Sequence, residues 1–145
     1  MCLVTKQRDP ILTTEDIVCY KIVRENISHN KNTHPFSSMY NYFDWMLNKA
    51  YYTPLSVYET DRASNCNFYD YVARTQFDNP NSKNCLFSEI SDGFHAMLTY
   101  DRAARTTDFD DNEVVVECLI PKGSSIYKDK TDLVVSNKII MVKRL

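Results

Sequence analysis

Glycine is nearly missing from this chain of 145 residues, occurring only at Gly93 and Gly123. A phosphate cradle of the Walker or Rossmann kind needs several closely spaced glycines, so both are excluded. Five cysteines, Cys2, Cys19, Cys66, Cys85 and Cys118, form an odd set without a Cys-x-x-Cys pair. That usage suits a reduced, cytoplasmic chain with free and mostly buried thiols. No stretch approaches the length of an apolar membrane span, and the opening MCLVTKQRDP lacks the apolar run of a secretory signal. A net charge of −2 leaves no basic field for non-specific nucleic-acid binding. There is no Gly-x-Ser-x-Gly and no cysteine within a thiol-enzyme signature, so no catalytic residue is assigned.

What is present is aromatic. Ten tyrosines, seven phenylalanines and one tryptophan stand in a chain that is 43% hydrophobic and 25% charged. Residues 1–145 read as one domain, with 1–12 extended or loose. Ten phenols exceed what a core of this size easily satisfies, so some belong on the surface. There they would stack on a base or build a homo-oligomer interface.

Strands are legible where β-branched residues alternate. In IVCYKIVRE, Val18, Tyr20 and Ile22 alternate with Cys19, Lys21 and Val23. PLSVYET, CLFSEI, EVVVECLIP and SNKIIMVK are further strands, and Pro121-Lys122-Gly123 is a turn. Two segments read as helices. Met39, Phe43, Met46, Leu47 and Ala50 form one helical stripe, with Ser37 or Ser38 as cap, Pro54 as stop and Trp45 off its centre. The second helix follows Thr99, a good N-cap, with Asp101 in its first turn and Ala103-Ala104 inside. The expected fold is therefore α+β, a largely antiparallel sheet with about two helices.

Metal chemistry finds no set. His29 and His34 share a polar loop, and Asp108, Asp110 and Asp111 lack the glycine and terminal Glu of a calcium loop. Glu113 and Glu117 flank VVV on one side of a strand, where Glu117 is either a paired structural charge or, in a cleft, an acid or base. His95 follows the bend at Gly93 and faces a ligand as a hydrogen-bond donor, or is a structural histidine. Arg102 and Arg105 on the short helix, Lys122 after the long strand and Arg24 at the end of the first form a candidate anion site. Tyr20 and Tyr100 offer faces for a base.

The order MCLVTKQ, IVCYKIVR, GFHAMLTYDRAAR, VVVECLIPKGSSIY and SNKIIMVK resembles a group of small proteins of bacteriophages and Bacteroides-type bacteria. The Tyr-containing first strand, the Gly-aromatic-His step into a helix and the strand ending in IPKG are also similar to ADP-ribosyltransferase-like domains. That resemblance implies a degenerate version of their fold and an NAD-using or nucleotide-cleaving activity. The late strand SNKIIMVK carries no glutamate, which leaves Glu113 or Glu117 for the acidic role. The phage resemblance implies a protein that sequesters a nucleotide immune signal in the host cytoplasm, or a structural, protein-binding phage component. A sponge of that kind needs no cofactor, metal or nucleophile. The expected ligand contacts are His95, Tyr100, Arg102, Arg105, Lys122 and Arg24, gathered around Gly93.

Overall fold

The computed structural model describes residues 3–25, 36–38, 44–60, 87–107 and 112–145. Of these, 61% are strand and 7% helix, with one helix. The protein is thus mostly β, and the α+β expectation with two helices is corrected. The strands are β1 (Leu3–Thr5), β2 (Ile11–Leu12), β3 (Ile17–Glu25), β4 (Phe36–Ser38), β5 (Asp44–Trp45), β6 (Ala50–Tyr52) and β7 (Ser56–Thr60). They continue as β8 (Phe87–Asp92), β9 (Phe94–Met97), β10 (Glu113–Ile120), β11 (Ser125–Lys128), β12 (Leu133–Ser136) and β13 (Lys138–Arg144). The helix, α1, is Tyr100–Thr106 between β9 and β10.

The helix expected over residues 37–52 is replaced, wherever that segment is described, by β4, β5 and β6. The stripe that should have been buried is not: Met46 and Leu47 are exposed, while Trp45, placed off the stripe, is only 2% exposed. Met39 and Phe43 lie outside the described residues. Two tertiary facts override the helical spacing. β4 pairs with the open edge of β3, and Asn48 turns the chain with a left-handed φ of 58° that no helix interior tolerates. Trp45 then packs edge-on to Tyr51 and Phe94, with ring centroids 4.9 and 5.5 Å away.

The large sheet runs β2-β11-β12-β9-β3-β10-β13-β6, with β4 on β3 and β5 on β4, and every pairing between named strands is antiparallel. Its centre is the full-length pairing of β3 with β10, from Ile17↔Ile120 to Arg24↔Glu113. β12 and β13 are separated by Asn137 alone yet sit four strand steps apart in that order. A flat sheet would hold them roughly 19 Å apart, whereas two peptide units span at most about 7 Å. The sheet must therefore curl until its two limbs meet at Asn137. There the side-chain carbonyl of Asn137 accepts from the Ser125 amide at 2.9 Å, and its backbone carbonyl accepts from the Thr53 amide at 2.9 Å.

The curl encloses one core and leaves another outside. Cys19, Val23, Trp45, Phe94, Val116, Cys118, Val134, Ile139 and Met141 fill the enclosed face. On the outer face Tyr20, Ile22, Met97, Val115, Leu133 and Val135 are covered by Ala103 of α1 and by Leu3 and Ile90 of a second, three-stranded sheet, β1-β8-β7. The strict alternation along β3 follows from this, because odd residues point inside and even ones outside.

Candidate functional site

The helix α1 forms because its caps and its buried face agree. Thr99 Oγ1 accepts from the Arg102 amide at 3.3 Å, Ala103 is fully buried against the outer face, and Thr107 Oγ1 donates to the Ala103 carbonyl at 2.6 Å. Asp101 and Arg105 pair across one turn at 2.6 Å with both side chains largely in water. Such a pair contributes little stability. Tyr100 opens the helix, half exposed, with its ring edge-on to Tyr20 at 6.0 Å between centroids.

Tyr20 connects this pair to a row of polar side chains. It stands opposite Glu117 on β10, and Glu117 stands opposite Lys143 on β13, where a bulge between Glu117 and Cys118 puts Lys143 and Met141 on opposite faces. Facing residues in an antiparallel pair share one side of the sheet. The outer face next to α1 thus carries Tyr100, Tyr20, Glu117 and Lys143 in sequence, with Arg102 half-buried on the helix.

The bend at Gly93 is closed. Its φ of 144° suits glycine, and a Cβ there would lie 2.3 Å from Val135 Cγ1 and 2.7 Å from Leu55 Cδ2. His95 folds back on it, with Nδ1 3.2 Å from the Gly93 carbonyl. A carbonyl only accepts, so Nδ1 carries the proton and Nε2 is a bare acceptor. Nε2 is buried without a hydrogen-bond partner among the described residues. Burial, and then the nearby Lys21 ammonium, lower the imidazole to about 4, an effect the Gly93 and Ile90 carbonyls only partly offset. His95 is therefore neutral and half-buried, folded back against the closed bend.

The expected cation cluster divides. Arg102 and Arg105 share α1 with Tyr100. Arg24 is exposed at the far end of β3, opposite Glu113. Lys122 sits in the turn after β10, where its amide donates to Asp16 Oδ1 at 2.8 Å. The length of β10 keeps Arg24 and Lys122 roughly 23 Å apart. His29, His34, Asp108, Asp110 and Asp111 lie outside the described residues.

Sequence reasoning missed Lys21. Its Nζ reaches the His95 carbonyl at 2.5 Å and lies 5.4 Å from the Trp45 ring centroid, and burial lowers its pKa. The signal was available: a lysine sharing the Cys19 and Val23 side of an alternating strand. Among the described residues no helix is long and apolar enough to cross a membrane. The fold and this outer face define a mostly β protein with an exposed aromatic and cationic surface beside one short helix. No protein-family model matches the chain, and neither a curated protein nor a solved structure shows significant similarity to it.

Proposed function

We propose that this protein binds a planar anionic ligand of the nucleotide type beside α1 and holds it without converting it. The observation that carries the reading is the Tyr100–Tyr20 pair, half open to solvent at the start of a helix that also bears Arg102 and Arg105. An exposed ring backed by a second ring offers a stacking surface worth roughly 1–3 kcal/mol per base. Arginine forks one turn away suit phosphate. Lys143 opposite Glu117 offsets the carboxylate that would otherwise repel an anion. Sequestration of a nucleotide signal by a homo-oligomer in the host cytoplasm is the biological role that fits such a surface. Arg24, Lys122 and His95 are left out of this contact set because of where they lie.

The test is a nucleotide titration of the wild type and of Tyr100→Ala, Arg102→Ala and Arg105→Ala, with mass spectrometry of ligand released by heating. The binding reading expects weaker affinity in the three variants, unchanged folding and ligand recovered intact. Equal affinity across all four proteins overturns it. A second reading, an NAD-using or nucleotide-cleaving enzyme, draws on the register that sets Glu117 opposite Tyr20. It expects ligand to be consumed and Glu117→Gln to abolish turnover.

A further inference from the structure

Three sulfur-bearing side chains meet on the enclosed face of the large sheet. Cys19 on β3 stands directly opposite Cys118 on β10, and Cys118 directly opposite Met141 on β13. All three residues are completely buried, and both thiols are free. Cys118 Sγ lies 3.2 Å from Met141 Sδ. Three consecutive strands thus deliver a thiol, a thiol and a thioether to one spot.

A half-buried positive charge stands next to them. Lys21 lies two residues from Cys19 on the same side of β3, and its ammonium has the His95 carbonyl and the Trp45 ring as neighbours. No carboxylate pairs with it among the described residues. An ammonium partly withdrawn from water without a counter-charge is stabilised by an anion beside it. Two thiolates would supply it.

We propose that Cys19, Cys118 and Met141 form a site for a soft monovalent metal ion, copper(I), with Lys21 as the counter-ion to its two thiolates. Thiolate and thioether donors select copper(I) among the common metals. Structural zinc takes four ligands, and among the described residues no group of three or more His, Cys, Asp or Glu side chains exists to build such a site. The charges close: two thiols release two protons to solvent, and two thiolates, one copper(I) and one ammonium sum to zero. No electron moves. The metal must displace a proton from each thiol, so binding tightens as pH rises.

The test is an anaerobic titration of the full chain with copper(I) against a chromogenic chelator, in the wild type and in a Cys2→Ser, Cys66→Ser, Cys85→Ser protein that keeps only the two proposed thiols. The site expects one copper per chain, two protons released per copper and an all-sulfur shell by X-ray absorption. Lys21→Met is expected to weaken affinity roughly 10–100-fold, as loss of an outer partner does, and Met141→Leu, which keeps the core volume, to weaken it measurably. Cys118→Ser should abolish binding; if that variant does not fold, Met141→Leu and Lys21→Met decide. Copper lost to the chelator, unchanged affinity in Met141→Leu and Lys21→Met, a preference for zinc, or a Cys19–Cys118 disulfide persisting under reducing conditions would each overturn the proposal.

Discussion

Lys21 donates from Nζ to the carbonyl oxygen of His95 at 2.5 Å, at the place where β9 parts from β3. β10 occupies one edge of β3 along nearly its whole length, so β9 and β4 share the other, pairing at Tyr20 and at Val23–Glu25 respectively. Between those pairings the ladder is open, and the lysine side chain satisfies a carbonyl that a neighbouring amide would otherwise take. Lys21→Ala should therefore destabilise by about 2–4 kcal/mol, through an unsatisfied carbonyl and a void under Trp45. Lys21→Met should cost clearly less, since it fills the void and removes the half-buried charge. Urea unfolding of the two variants checks the order.

His95 makes the fold sensitive to mild acid. Its imidazole is lowered from 6.5 to about 4, chiefly by burial and then by Lys21. Below the ordinary value the unfolded chain takes up a proton that the folded chain refuses, so stability falls as pH drops and levels off once the folded form also titrates. From about pH 7 to pH 5 this contributes a loss of about 2 kcal/mol. His95→Phe should flatten that part of the profile, as read from urea midpoints. An identical slope in both proteins would refute the assignment.

The two glycines make opposite predictions. Gly93→Ala drives a methyl into Val135 and Leu55 at a strained φ, and should destabilise by about 3 kcal/mol. At Gly123, with φ 84°, nothing lies within 4 Å of an added Cβ. Gly123→Ala should cost only about 1–2 kcal/mol of left-handed strain. Thermal unfolding of the pair separates clash from conformation.

Trp45 and Met46 are neighbours with unequal burdens. Trp45→Ala should cost about 3–5 kcal/mol, because it empties the site between Tyr51 and Phe94. Met46→Ala, at an exposed position, should stay within about 0.5 kcal/mol. A helix over this segment would reverse the order, so the two unfolding curves discriminate directly.

Local pattern was enough wherever a segment's own chemistry and its packing agree. IVCYKIVRE and EVVVECLI alternate or run apolar because they form the paired centre of the large sheet. Thr99, Asp101 and Ala103 mark α1 because a cap and a small buried residue are local requirements. The SSMYNYFDWMLNKA segment misled because its spacing fits a helix equally well, and its choice depends on an open edge of β3 that no local signal reveals. The expected site divided for a related reason. Arg24 and Lys122 bracket the site only in the linear chain; register sends them to opposite ends of one strand pair.

From the amino-acid order alone came the central strands, the capped helix, the want of a glycine-rich phosphate loop and the surplus of tyrosine. Tertiary structure alone decided that the sheet curls at Asn137, that Trp45 and not Met46 is inside, and that the Gly93 bend is filled. It also decided that Lys21 shares the enclosed face with Cys19, Cys118 and Met141. Those outcomes rest on which strand edges meet and which faces become enclosed, and such long-range pairings have energies that no single segment encodes.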